Sequence, residues 1–324
     1  MATRVFSGAR PTGRQHLGNY FGHIMNLIAL QEEYDCFDCV VDLHALTTLE
    51  TTATLQQDIT DMVLDWLAAG VDPEKSAVFV QSHVPEITEL HLLLSMVTPL
   101  NWLLRVPTFK EKVKMHPENV NYGLVGYPVL MTSDIVLYKG QVVPVGEDQL
   151  PHLELAREIV RRFNSMFGDV FPEPEAKLTR YPMIVGLDGN SKMSKSADNY
   201  IEISASPDEI RRRVSGAFTD PQRLRKSDPG RPHLCNVYSL RKIFTPEDLE
   251  EVAEACKTAT IGCVQCKKAL AEGIVEYFAP FRERRELLVQ RPDYVRDVIA
   301  SGAARASSVA RATMEEVKTA MNLK

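Results

Sequence analysis

The strongest constraint on folding in this sequence is an alternation of short β-rich runs with amphipathic stretches over residues 1 to about 187. Residues 4–8 read as a strand, 17–33 as a helix, 37–42 as a strand, 54–68 as a helix and 77–81 as a strand. This is a βαβαβ pattern, the sequence form of a parallel sheet covered by helices. A stretch rich in glycine and proline, from Phe171-Pro172-Glu173-Pro174 through Gly186-Leu187-Asp188-Gly189-Asn190, breaks the alternation with loop chemistry. Beyond Ser206 the periodicity is almost wholly helical, at 208–214, 246–255, 266–286, 292–302 and 307–321. The fold class expected is α/β: a parallel-sheet domain over residues 1–199 followed by an all-helical domain over 200–324.

With 44% apolar and 25% charged residues, the chain has the make-up of a globular protein with a substantial core. No window approaches 18 uninterrupted apolar residues and the first residues carry no apolar leader, so the expectation is a cytoplasmic protein without a membrane partner. The net charge of −6 excludes a surface coated in positive charge. Local basic clusters at 211–213, 223–226 and 282–285 are solvated helix faces or a nucleic-acid footprint.

Two segments have the chemistry of a triphosphate site. The first strand runs into Ser7-Gly8-Ala9-Arg10-Pro11-Thr12-Gly13, where the backbone can approach a ligand, and the following helix points its positive end back at that loop. His16 and Asn19 on its first turn can donate to phosphate or ribose oxygens, and Gly18 leaves room for a nucleotide ring. In the second segment, Lys192-Met193-Ser194-Lys195-Ser196, two ammonium groups three residues apart can swing onto the phosphates of a departing pyrophosphate. Alone, the first is a structural turn as readily as a site, and the second reads better as a solvated loop.

In this order across a βαβ domain, the two segments resemble the paired signatures of class I aminoacyl-tRNA synthetases. His16-Leu17-Gly18-Asn19 matches the "HIGH" sequence except at its second and last positions. Val41 to Thr47, Tyr127 to Ile135 and Val143 to Gln149 are similar to bacterial tryptophanyl-tRNA synthetases. The resemblance implies a Rossmann-like catalytic domain, a helical anticodon-binding domain, ATP with Mg²⁺, L-tryptophan and tRNA(Trp), and a homodimer. It also implies catalytic roles for His16, Lys192 and Lys195. ATP contacts are implied for Arg10, Thr12, Gly18, Asn19, Gly146, Asp148, Met193 and Ser194. Arg10 departs from the glutamine many of these enzymes carry. Lys110 and Lys112 resemble a phosphate- and metal-facing segment.

Asp134 interrupts an otherwise apolar helix and shares a face with Tyr127 and Met131. A buried carboxylate requires a partner. That partner is a structural donor or, as the resemblance implies, the indole N–H of tryptophan, with Phe6 and Met131 packing on the ring. By the same resemblance Gln149 and His44 meet the amino acid's polar end, although His44 reads equally well as a core histidine.

Cys235, Cys256, Cys263 and Cys266 have the spacing C-x20-C-x6-C-x2-C, which in a reducing compartment points to a metal centre before a disulfide. Spacing alone leaves Zn²⁺ and an iron–sulfur cluster open. The segment resembles a subset of tryptophanyl-tRNA synthetases carrying a [4Fe–4S] cluster in the anticodon-binding region, with a first gap two residues shorter here. Cys36 and Cys39, at a strand entry, read as core packing.

Overall fold

Five strands of the described residues, β1 (Arg4–Ala9), β2 (Asp35–Val40), β3 (Ser76–Val80), β4 (Val142–Val145) and β5 (Glu175–Leu178), form one sheet in the order β3-β2-β1-β4-β5. Every pairing is parallel, with Phe6 opposite Phe37 and Phe37 opposite Ala77. The expected parallel sheet is therefore present. All five residues of β3 are buried, as in a sheet covered on both faces. The computed structural model describes residues 2–49, 51–106, 109–110, 113–114, 118, 120–178 and 183–324.

The chain divides into two compact units, each assembled from separated segments. The sheet unit comprises Met1–Gly13, Met25–Arg180 and Arg291–Lys324. Its core stacks Tyr138 against Phe6 and Phe37 at centroid distances of 5.7 and 5.0 Å, beside Phe79, Ile135 and Leu90. Each fully buried side chain of this size contributes about 1.5–3 kcal/mol. Cys36 and Cys39 are fully buried here, and burial pushes the Cys36 thiol up to about 12, so both are packing residues.

Where two helices are expected near the end of the chain, one continuous helix, Pro292–Ala320, lies against β3. Gly302, which reads as a helix stop, is instead the contact point: a Cβ there would lie 1.9 Å from the Val78 carbonyl oxygen. Arg305, one turn on, pairs with Asp35 of β2. The β5 strand falls inside the stretch read as loop. It is a short, exposed edge strand and lacks the apolar pattern of its neighbours.

The helical unit comprises Arg14–Ile24 and Tyr181–Gln290. Its helices are Pro207–Ser215, Asn236–Phe244, Leu249–Lys257, Cys263–Tyr277 and Ala279–Val289, together with the short turn Leu17–Asn19. The first is opened by Ser206, whose hydroxyl accepts from the Glu209 N–H at 3.2 Å, and by Pro207 at its first position. The helix expected over 266–286 divides at Phe278, because Pro280 lacks the N–H needed to continue it. Tyr20, Phe21, Phe244, Tyr277 and Phe278 form an aromatic core with edge-on contacts of about 5–6 Å. No described helix is long and apolar enough to cross a membrane.

Candidate active site

In the helical unit, residues 15–17 run beside residues 201–203. His16 forms an antiparallel bridge to Glu202, and Leu17 N–H donates to the Ile201 carbonyl at 3.0 Å. His16 then caps the helix that follows. Its Nδ1 accepts from the Asn19 N–H at 3.3 Å, while the Asn19 Oδ1 accepts from the His16 N–H at 3.1 Å. Gly18 permits this fit, since a Cβ there would stand 3.0 Å from the imidazole. After Asn19 the helix widens into a π segment, Tyr20–Ile24.

Burial, then the charges of Lys195 and Lys192, lower the His16 pKa to about 4, so the ring is neutral at pH 7. With Nδ1 occupied as an acceptor, the neutral ring carries its proton on Nε2. The two lysines of the second segment are thus brought into electrostatic range of His16. Met193 between them is buried and anchors the segment, with its N–H on the Ile184 carbonyl at 3.0 Å. A residue missed by sequence reasoning, Asn199, holds the rest. Its Oδ1 accepts from the Ser194 N–H at 2.7 Å, and its amide donates to the Ser191 hydroxyl and the Lys192 carbonyl at 3.0 and 3.3 Å. The only available signal was a buried-type polar residue three positions past the motif.

In the sheet unit, Asp134 is 1% exposed on the helix Tyr122–Leu137. Both its oxygens accept from Gln81 Nε2, at 2.7 and 2.9 Å, and Oδ2 lies 2.8 Å from His44 Nε2. Gln81 Oε1 in turn accepts from the Leu43 and His44 N–H groups at 3.0 and 3.4 Å, fixing its amide orientation. In the sequence Gln81 reads only as the end of the strand 77–81, and its one local signal is that it is a polar residue closing an apolar run. His44 therefore sits against Asp134 itself. A carboxylate offers about four acceptor positions, and these contacts use three.

Phe6 is packed into the core, and Met131 is half-buried against it. Tyr127 bonds His152 through its hydroxyl and meets the His44 ring edge-on at 6.1 Å. A cleft of about 240 Å³ lies along the same helix, lined by Leu43, Thr47, His91, Gly126, Tyr127 and Leu130. Asp134, Phe6 and Met131 do not line it.

The remaining expected contacts lie at the C-terminal ends of strands, where open parallel sheets bind ligands. Arg10 follows β1 and bonds Thr48 Oγ1 through Nη2; burial lowers its pKa. Thr12 is exposed. Gly146 follows β4, and a Cβ there would meet Asp148 Oδ1 at 2.7 Å; Gln149 Nε2 donates to Asp148 Oδ2 at 2.9 Å. Lys110 is exposed, and Lys112 lies outside the described residues.

The four cysteines of the helical unit are free and half-buried. Burial raises the Cys235 and Cys256 thiols and pushes Cys266 up to about 11. Cys235 feels the charges of Cys256 and Cys263, and Arg223 Nη1 donates to Cys256 Sγ at 3.7 Å and lies 4.0 Å from Cys263 Sγ. Among the described residues, no three His, Cys, Asp or Glu side chains stand close enough to hold a single metal ion.

Residues 1–279 match the family described as tRNA synthetases class I (W and Y). The tryptophan–tRNA ligase of Thermotoga maritima is 47% identical over 326 residues, covering 99% of each chain. That of Aquifex aeolicus is 41% identical, covering 99% of this chain and 100% of its own. Among solved structures, a tryptophanyl-tRNA synthetase from Campylobacter jejuni complexed with ADP and tryptophan superposes with a TM-score of 0.91 at 33% identity, covering 99% of this chain and 100% of that one. A match running from β1 through the Cys263–Tyr277 helix, with full-length relatives at these identities, places the chain in the class I tRNA synthetases of the tryptophan and tyrosine family.

Proposed function

We propose that the chain is a tryptophan–tRNA ligase. A carboxylate oxygen of L-tryptophan attacks the α-phosphorus of ATP, the bond to the bridging oxygen breaks, and pyrophosphate leaves. A hydroxyl of the 3′-terminal adenosine of tRNA(Trp), the 2′-hydroxyl by class I analogy, then attacks the adenylate carbonyl and AMP leaves. The observation that carries this reading is 47% identity to a tryptophan–tRNA ligase over 99% of both chains.

Each group of residues has a role in this chemistry. Neutral His16 donates through Nε2 to a phosphoryl oxygen, with no proton lost to solvent at pH 7. Lys192 and Lys195 offset the charge that builds on pyrophosphate, and Asn199 keeps their backbone in place. Mg²⁺ accompanying ATP supplies further neutralisation of the phosphates. Asp134, with one acceptor position left by Gln81 and His44, takes the indole N–H, with Phe6 and Met131 on the ring. Gln149 and His44 serve the amino acid's polar end, while Arg10, Thr12, Gly18, Asn19, Gly146, Asp148, Met193 and Ser194 serve the nucleotide. A site built to satisfy a donor rejects analogues lacking it far better than an apolar slot does.

The cysteines support a finer reading. Four thiols with two arginines among them, Arg223 and Arg241, suit the net negative charge of a thiolate-bound [4Fe–4S] cluster. Held by Cys235, Cys256, Cys263 and Cys266, a cluster would cross-link the helices at 200–290, which read the anticodon as splayed bases in this proposal. Leu92 and Met96, one turn apart on the helix Glu86–Val97, and Leu100 and Leu104, one turn apart on the helix Leu100–Arg105, are exposed apolar side chains, and such exposure favours burial against a second copy.

ATP–pyrophosphate exchange tests the activity: it is expected with tryptophan, and exchange dependent on tyrosine instead would overturn it. Iron and sulfide in an anaerobic preparation are expected; zinc without sulfide would overturn the cluster.

A further inference from the structure

Arg213, on the helix Pro207–Ser215, reaches the far end of the lysine segment. Its Nη1 donates to the backbone carbonyl of Asp198 at 3.0 Å and to the Asp198 carboxylate at 2.7 Å. Asp198 holds a left-handed conformation at φ 47°, and its N–H closes a turn onto the Lys195 carbonyl at 3.0 Å. The guanidinium therefore grips the last residue of the turn that Lys195 begins.

Two further contacts fix the grip. Glu209 accepts from Arg213 Nε at 3.3 Å, and the guanidinium carbon lies 4.7 Å from the centre of the Tyr200 ring. Tyr200 is itself 6.0 Å from the His16 ring. The Arg213 side chain is only 19% exposed, whereas Asp198 is 79% exposed. An ion pair with one such partner adds little stability. What this one does is hold a costly backbone conformation beside a functional lysine.

We infer that Arg213 is a positioning residue for Lys195. It sets the turn Lys195–Asp198 so that the ammonium group is presented to the departing pyrophosphate, while Asn199 independently holds the Lys192 half. The inference rests on the pyrophosphate role proposed for Lys195.

The test measures single-turnover formation of tryptophanyl-adenylate, KM for tryptophan and thermal stability in Arg213→Gln, Arg213→Lys, Lys195→Ala and the double variant Lys195→Ala/Arg213→Gln. Arg213→Gln is expected to slow adenylate formation about tenfold, the scale of a small misplacement of a catalytic group. KM for tryptophan should stay within about twofold on the same principle, and Arg213→Lys should recover part of the rate. Added to Lys195→Ala, Arg213→Gln should cost less than about twofold, because residues acting through one group are not additive. Asp198→Gly keeps the left-handed turn and removes the carboxylate contact without touching a buried side chain; it is expected to give a smaller loss of the same kind. An undiminished rate in Arg213→Gln, or a full tenfold loss on adding it to Lys195→Ala, would overturn this inference alone. An unchanged rate in Lys195→Ala would remove the role of Lys195 and the inference with it.

Discussion

His44 and Asp134, 90 residues apart in sequence, meet inside the sheet unit with Nε2 2.8 Å from Oδ2, and Gln81 bonds both oxygens of the same carboxylate. Asp134→Asn puts an amide donor against the donor of Gln81 and weakens the acceptor proposed for the indole. We expect kcat/KM for tryptophan in the exchange assay to fall by about 100-fold, the size of losing a buried polar match to substrate. Unfolding in urea should show a loss of about 1–3 kcal/mol for the unpaired donors. Unchanged selectivity between tryptophan and phenylalanine would remove Asp134 from the recognition of the ring.

Acid should destabilise the helical unit through two imidazoles. Burial lowers both His16 and His23 to about 4, whereas an unfolded histidine titrates near 6.5. Between those values the unfolded chain binds more protons, so stability is full above about pH 6.5 and declines as the pH falls toward 4. The same shift keeps His16 neutral in the working enzyme. Urea midpoints from pH 8 to 4.5 should therefore show this decline, and it should shrink in His23→Gln. In exchange kinetics, a group titrating near 6.5 and abolished by His16→Gln would contradict the assignment.

Asp38 should act with the opposite sign. It is 1% exposed, both its oxygens lack a hydrogen-bond partner, and burial raises its pKa to about 7 despite Ser76 and Arg305 nearby. An unfolded aspartate titrates near 3.8, so the stability contributed by its neutral form is full below that value and is lost as the pH rises through about 7. Asp38→Asn should accordingly stabilise the protein at pH 8 by at least about 1 kcal/mol and have little effect at pH 4. Thermal melts at the two pH values decide this; equal effects at both would show that the carboxyl does not titrate in the fold.

Gly302→Ala should be far more damaging than its chemistry suggests. The added Cβ would lie 1.9 Å from the Val78 carbonyl and 2.6 Å from its carbon, both backbone atoms that cannot swing aside. The helix has to lift from β3, at a cost of about 3 kcal/mol. Gly22→Ala, with nothing within 4 Å of the new Cβ, is the control and should be neutral or mildly stabilising. Similar urea midpoints for the two variants would refute the close packing.

Much of the fold could be read from local pattern. The runs at 4–8, 37–42 and 77–81 correspond to Arg4–Ala9, Asp35–Val40 and Ser76–Val80, because buried parallel strands write themselves as apolar stretches. Asp134 announced its burial by interrupting an apolar helix. What the local pattern could not supply was the identity of its partners, since Gln81 and His44 arrive from other elements through the sheet order. Asn199 carries little signal of its role in the sequence, and Arg213 reads there only as part of the basic cluster 211–213, for a similar reason: each acts on the backbone of the lysine segment, and a backbone contact leaves no compositional trace. Gly302 misled because glycine marks both helix ends and close approaches, and only the presence of β3 distinguishes them.

The seat that Gly302 makes on Val78 also sets an order of events during synthesis. β3 has left the ribosome more than 200 residues before the helix that covers it is made. Until then its apolar face and the carboxylate of Asp38 await a cover encoded far downstream. The nascent sheet is thus an incomplete body while the intervening residues are made, and it closes only when residues 292–320 emerge.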